Sequence, residues 1–277
     1  MSGAPSHPPA HPFFLDAQPG RRFCLYHRPH GMARGAVLLA PAFAEEMNRA
    51  RRMCALQARL LAEHGYGVLL IDTYGCGDSD GEFGDARWEI WKSDMRIALG
   101  WMRSECPGPV WLWGLRLGAL LALEATRDAG ELAGLLWWQP VTDGSSYLTQ
   151  FLRLRLAADM LAGGTSEGGT DRLRRELEAG NALEIAGYQL APELALAIDA
   201  LRLTQAPSCP VHWLEVLSQA GRDLPPGRAR LVQHCAQAGW DLRKHVVEGP
   251  SFWATQEIEE APALLRATLA ALQSEAS

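Results

Sequence analysis

The sequence has no Cys-x-x-Cys pair and no His/Cys cluster at zinc spacing, although it holds six cysteines, at 24, 54, 76, 106, 209 and 235. That excludes the common structural zinc sites, and no metal or cofactor is expected. Scattered single thiols in a chain of 277 residues fit a reducing compartment better than a disulfide framework, so a cytoplasmic protein is expected. No apolar run reaches the ~20 residues of a membrane-spanning helix. The opening MSGAPSHPPAHPFF has no charged start followed by an apolar stretch and does not read as a secretory signal. It reads as a mobile tail to about Pro12. An excess of basic residues is missing too. The net charge is −6 with both signs mixed, which argues against nucleic acid as a partner. Internal repeats and domain linkers are also absent, and oligomeric state is left open.

What is present is a strand–helix rhythm. Short apolar runs at 36–40, 68–72, 110–113 and 132–138 suit buried parallel strands. Between them, 47–64 carries Met53, Leu56, Leu60 and Leu61 at helical spacing, and Trp88, Trp91, Met95, Leu99 and Met102 form a second helical stripe. A small-residue helix is expected at 117–127. Such alternation implies βαβ units and a parallel sheet covered on both faces. From 143 to 207 no strand is evident. A Gly-rich patch at 163–169, a charged helix at 171–179 with Thr170 as its cap, and a helix at 191–203 predict an all-helical insertion. The rhythm resumes with strands at 211–216 and 244–247 and helices at 231–237 and 256–272. The expected division is a mobile tail and lead-in at 1–22, a first core segment at 23–142, a cap at 143–207 and a second core segment at 208–277.

The most informative stretch is Val110-Trp-Leu-Trp-Gly114-Leu115-Arg116-Leu117-Gly118. A strand runs through Gly-x-Arg-x-Gly into a small-residue helix, the layout of the nucleophile elbow G-x-S-x-G. The glycines are required there because a side chain two residues either side of the elbow would strike a neighbouring element. The chain here resembles the α/β-hydrolase superfamily, from about Phe23 onward. Leu39-Ala-Pro41-Ala42-Phe43 resembles the oxyanion loop, Ile71 to Gly81 resembles the D-x-x-G-x-G-x-S segment, and Trp138-Gln139-Pro140-Val141 resembles the strand entering the cap. More narrowly, 41–48, 113–118 and 249–253 are similar to the second group of hydrolase-like proteins associated with the exosortase A system. The resemblance implies an α/β-hydrolase fold with a mostly parallel sheet and a helical cap, a PEP-CTERM and exopolysaccharide setting, and ester or acyl chemistry if the protein is active. It implies no substrate.

The standard relay needs a nucleophile, a base and an acid. Arg116 holds the nucleophile position and, always protonated, offers no lone pair. Phe252 stands where the resemblance places the histidine, and His245 lies too early. After the strand at 211–216, Leu217-Ser218-Gln219 offers no carboxylate, and Asp223 is a loose fit. Two readings of Arg116 follow. Backbone N–H groups of Phe43 and Leu117, at the oxyanion positions, together with Arg116 at a helix start, would form a donor cluster for an anionic small molecule. Alternatively Arg116 pairs with Glu45 or Glu46. The pocket is expected to involve Phe43, Glu45, Glu46, Arg116, Leu117 and Phe252, with Trp253 beside them. A Cys76 nucleophile is a lesser candidate. Asp72, Asp78 and Asp80 are read as shaping their loop, and the tryptophans as core.

Overall fold

The computed structural model describes residues 9–127, 129–163, 168–219 and 221–275. Its centre is an eight-stranded sheet: β1 (His11–Asp16), β2 (Arg21–His27), β3 (Gly35–Ala40), β4 (Tyr66–Ile71), β5 (Val110–Leu115), β6 (Gly134–Trp138), β9 (Val211–Leu217) and β10 (Leu242–Glu248). The spatial order is β1-β2-β4-β3-β5-β6-β9-β10. Strands β4, β3, β5, β6, β9 and β10 run parallel, while β1–β2 and β2–β4 pair antiparallel. Helices α1 (Glu45–Glu63) and α8 (Pro262–Ser274) pack together over one face, and α2 (Trp88–Glu105) and α3 (Gly118–Thr126) over the other. Helix α7 (Pro226–Gln237) leans on β10. This is the expected mostly parallel α/β-hydrolase architecture.

The parallel strands read as unbroken apolar runs because both faces are covered. Trp113, Trp137, Trp138 and Trp213 are all fully buried. Trp113 meets Trp138 edge-on at 4.5 Å, and the Trp138 indole donates to Thr268 Oγ1 of α8 at 2.8 Å. The tryptophans of the sheet are core, as expected.

Three expectations need correction. The stretch assigned to a tail and lead-in holds β1 and the first two residues of β2, so the sheet begins at His11; residues 1–8 lie outside the described residues. The insertion is not all helical. It comprises α4 (Gly144–Leu161), α5 (Gly169–Glu178), a two-stranded hairpin of β7 (Leu183–Ile185) and β8 (Tyr188–Leu190), and α6 (Pro192–Ala200). Three-residue strands closed by Ala186-Gly187, both at positive φ, leave no visible period. Finally, α5 is capped at Gly168 and includes Thr170; positions 164–167 of the Gly-rich patch lie outside the described residues. Asp143 caps α4, its carboxylate accepting Ser146 N–H at 2.6 Å.

Candidate functional site

The elbow between β5 and α3 is strained. Arg116 sits at φ 56°, a left-handed backbone that costs a non-glycine residue ~1–3 kcal/mol. A Cβ on Gly114 would come within 2.4 Å of Ala119 Cα, and one on Gly118 within 2.1 Å of the Ala40 carbonyl oxygen. Both obstacles are backbone and cannot move aside, so both glycines are obligatory. Ala44 (φ 50°) and Gln139 (φ 44°) are held in the same region. These flank the elbow: Ala44 leads into α1, and Val141 N–H donates to the Arg116 carbonyl. Strained positions concentrate at this one end of the sheet.

The Arg116 side chain is engaged. Its Nε and Nη2 both donate to Glu46 Oε1 at 3.1 Å, and Nη1 donates to the Gln139 carbonyl at 3.2 Å. The second Glu46 oxygen accepts the Tyr147 hydroxyl at 2.8 Å. The guanidinium also lies over the Trp253 ring at 5.4 Å and the Tyr147 ring at 5.8 Å. Elbow, α1 and cap helix α4 are thereby tied through one ion pair that is only 14% and 22% exposed. Of the two readings of Arg116, the ion pair is the one its side chain adopts, so the guanidinium does not stand without an acceptor. The acceptor is supplied from within the chain, because Glu46, in the first turn of α1, points back at the elbow. Burial, reinforced by the Glu46 charge, holds the Tyr147 phenol well above its usual range, so it remains a donor. Tyr147→Phe is expected to lower unfolding free energy by about 2 kcal/mol, the scale of a hydrogen bond to a charged group. Urea denaturation checks this, and an unchanged midpoint would contradict the role given to the hydroxyl.

Glu45 is used differently. Its carboxylate takes Asn48 Nδ2 at 3.2 Å and the Tyr188 hydroxyl at 3.1 Å, and Arg49 lies 3.5 Å away. Burial pushes this carboxyl up, but those bonds and the Arg49 charge outweigh it and hold it below its usual range. Adjacent glutamates of α1 therefore each hold a tyrosine of the cap.

Beside the ion pair lies a cavity of about 340 Å³. Its walls are Phe43, Tyr147, Phe151, Leu154 and Trp253, with Glu45, Glu46 and Arg49 at one side. Of the residues expected in the pocket, Phe43, Glu45 and Glu46 line it. Arg116 stands behind Glu46. Leu117 instead lines a neighbouring space of about 10 Å³ together with Phe43, close to the volume of a single water. Phe252 is buried, packed on Trp138 and Trp253. The aromatic cap residues went unanticipated, although Tyr147, Leu148, Phe151 and Leu152 recur at the spacing of one inward helix face.

The other candidates sit elsewhere or are committed. Burial raises the Cys76 thiol to about 12, which keeps it protonated near neutral pH, against a nucleophilic role. Ser79 donates to the Asp72 carbonyl and accepts Phe23 N–H, while Asp72 accepts Asp78 N–H and Asp80 accepts Arg21 N–H, as loop-shaping residues do. His245 contacts His212 at 3.0 Å, away from the elbow. Asp223 is exposed. An unanticipated carboxylate, Glu215 in β9, is buried and taken by Trp213 Nε1 at 2.6 Å and Arg228 Nε at 2.9 Å; burial pushes it up against the pull of Arg228. A glutamate inside VHWLEVL was the available signal. Among the described residues no group of three His, Cys, Asp or Glu is placed to hold a metal, and no helix is long and apolar enough to cross a membrane.

Comparison with known proteins follows the same lines. The family model Hydrolase_4, described as serine aminopeptidase, S33, matches residues 31–229. No curated protein matches the sequence. Among solved structures, the chain is similar to a putative hydrolase from Agrobacterium vitis S4 (17% identity, TM-score 0.63, 97% of this chain and 98% of that one). It is also similar to Est1E from Butyrivibrio proteoclasticus with bound ferulic acid (16%, 0.65, 95% and 98%), and to a thermostable carboxyl esterase from Bacillus coagulans (12%, 0.65, 97% and 99%).

Proposed function

The chain belongs to the Hydrolase_4 family, serine aminopeptidase S33, and from that footing we propose that it is a hydrolase-like protein that receives a small molecule under its cap without the usual Ser-His-Asp relay. One observation carries this reading: the elbow guanidinium donates to Glu46 from two of its nitrogens and to the Gln139 carbonyl from the third, while a cavity stays open beside it. Phe252 at the base position is buried among aromatics and carries no proton.

The ligand class follows from the walls. Four aromatic rings and Leu154 suit a planar ring or an acyl group, stacked or edge-on. The anion seat at Arg116 is already filled by Glu46, and Glu45 adds a second negative charge, so a neutral molecule fits better than an anion. Ferulic acid bound to Est1E is in keeping with an aromatic acyl ligand for this fold. The similarity of 41–48 and 113–118 to the exosortase A-associated group supports a cytoplasmic, exopolysaccharide-linked setting.

Two measurements test the proposal together. Short-chain aryl esters are expected to turn over no faster with wild type than in buffer, and Arg116→Ser alone is expected to restore nothing, since Phe252 supplies no base. Robust wild-type turnover would sink the reading. In titration calorimetry ethyl ferulate is expected to bind more tightly than ferulate, and Leu154→Trp to abolish binding. Equal or stronger binding of the acid would return the pocket to an anion site.

A further inference from the structure

A second cavity, of about 210 Å³, lies on the other side of α1 from the cap pocket. Residues Met47, Arg51, Cys54 and Ala55 face it. They fall at i, i+4, i+7 and i+8, one stripe of the helix, whereas Glu45, Glu46 and Arg49 face the cap pocket. The floor is a cross-strand row. Leu25 of β2 and Leu39 of β3 both register with Leu70 of β4. Leu70 stays partly exposed although its strand is interior to the sheet. Protein interiors are close-packed, and voids larger than a water are few. Apolar cavities of ~150 Å³ are known to stay dry and take apolar guests, and this space is larger.

The mouth has one charged pair. Arg51 Nη2 donates to Asp72 Oδ2 at 3.2 Å, and the same oxygen accepts Asp78 N–H at 3.0 Å. Asp72 is 8% exposed at its side chain, while Arg51 is 46% exposed. No hydrogen bond occupies Arg51 Nε or Nη1 among the described residues. That Asp72 oxygen is thus satisfied and largely buried, while Arg51 Nη2 keeps a second N–H that, beside Nε–H or an Nη1 N–H, makes an open two-donor edge on a half-exposed side chain. A guanidinium edge is matched to a carboxylate, which it can bind through two parallel N–H donors. The cavity is smaller than the ~300–1,000 Å³ of drug-sized sites.

We propose that this cleft between α1 and the sheet is a binding site for a medium-chain carboxylate, its chain laid over Leu25, Leu39 and Leu70 and its head on the outer edge of Arg51. The site is separate from the cap pocket and does not rest on the function proposed for it. Leu115, immediately before the elbow, forms part of its wall, so occupancy borders the elbow from behind.

Octanoate titrated into the full chain is the test, read by thermal shift, calorimetry and methyl NMR. Octanoate is expected to raise Tm and to bind more tightly than butanoate, which leaves the cavity unfilled, or dodecanoate, which overruns it. Methyl shifts are expected at Leu25, Leu39 and Leu70 and not at Leu154. Ala55→Phe is expected to abolish binding, with Cys54→Met as the milder filler should Ala55→Phe not fold, and Leu154→Trp to leave it intact. Arg51→Gln is expected to weaken octanoate about tenfold. No Tm rise at millimolar octanoate, shifts confined to Leu154, or binding that survives the fillers would overturn the site. Octanol binding as tightly as octanoate, with no effect of Arg51→Gln, would overturn the assignment of a carboxylate.

Discussion

Asp94→Leu is expected to lower unfolding free energy by about 3–5 kcal/mol, the scale on which breaking a buried ion pair destabilises. Asp94 of α2 and Arg22 of β2 are both fully buried at their side chains and meet at 2.6 Å. The other Asp94 oxygen accepts Tyr74 N–H at 2.9 Å, and Arg22 Nη1 donates to the Pro19 carbonyl at 2.6 Å. One pair therefore fastens the antiparallel edge of the sheet to α2 and to the loop after β4. Removing the carboxylate strands a guanidinium that cannot shed its proton. Arg22 Nη2 already lacks a partner, so nothing nearby takes over. Arg22→Leu is expected to behave differently. Burial already pushes the Asp94 carboxyl up, and without Arg22 it can escape by taking a proton. A carboxyl with a raised folded pKa loses stability as pH rises, so this variant should recover stability as pH falls from 7 to 5, by at most about 1.4 kcal/mol per unit, while Asp94→Leu recovers nothing. The double replacement should lie closer to wild type than Asp94→Leu alone. Urea denaturation at both pH values decides it; a cost for Asp94→Leu under about 1 kcal/mol would remove the pair from the list of major contributors.

The same edge of the sheet shows where sequence legibility ended. The parallel strands announced themselves because two covered faces leave continuous apolar runs, and the elbow did so because Gly114 and Gly118 are fixed by backbone obstacles 2.4 and 2.1 Å away. β1 did not. His11–Asp16 is an edge strand, half exposed along its length and pairing only with β2, so it carries neither a long apolar run nor a clean alternation. The hairpin β7–β8 is too short to show a period. At the site, charge type sufficed to pair Arg116 with one of two glutamates, and the helical geometry of α1 then chose Glu46. Tyr147 was out of reach. It lies 101 residues from Glu46; the stripe of Tyr147, Leu148, Phe151 and Leu152 marks an inward face of α4 but not what that face meets. Glu215 was legible in principle, since a carboxylate within an interior strand must have a buried partner; locating that partner in Arg228 required the fold.

Stability is expected to fall steeply as pH drops from about 6.5 to about 4, because two histidines are buried in the neutral form. Burial lowers His212 to about 4, helped by His245 and Arg243, and lowers His27 to about 4, helped by Arg59. The ordinary value is near 6.5. Between these limits the unfolded chain binds protons that the folded chain refuses, so each histidine removes about 1.4 kcal/mol per pH unit on acidification. The sign is opposite to that of a histidine gaining an acidic partner. Glu275 does lie 3.2 Å from His212 Nε2, but it is already paired with Arg243. It can accept the Nε2 proton of a neutral ring without compensating a second positive charge. Nδ1 of His212 then faces His245 Nε2 at 3.0 Å, and a proton added there sets two donors against each other while His245 keeps its proton on Nε2. His27 has no such network; its Nε2 is buried without a hydrogen-bond partner, so desolvation, with the Arg59 charge behind it, opposes the proton. The expected measurement is unfolding free energy at pH 7, 6, 5 and 4 for wild type, His212→Gln and His27→Gln. Each variant should flatten the slope by about 1.4 kcal/mol per unit over this window, whatever it does to stability at pH 7. An unaltered slope in either would show that its imidazole accepts a proton in the folded state.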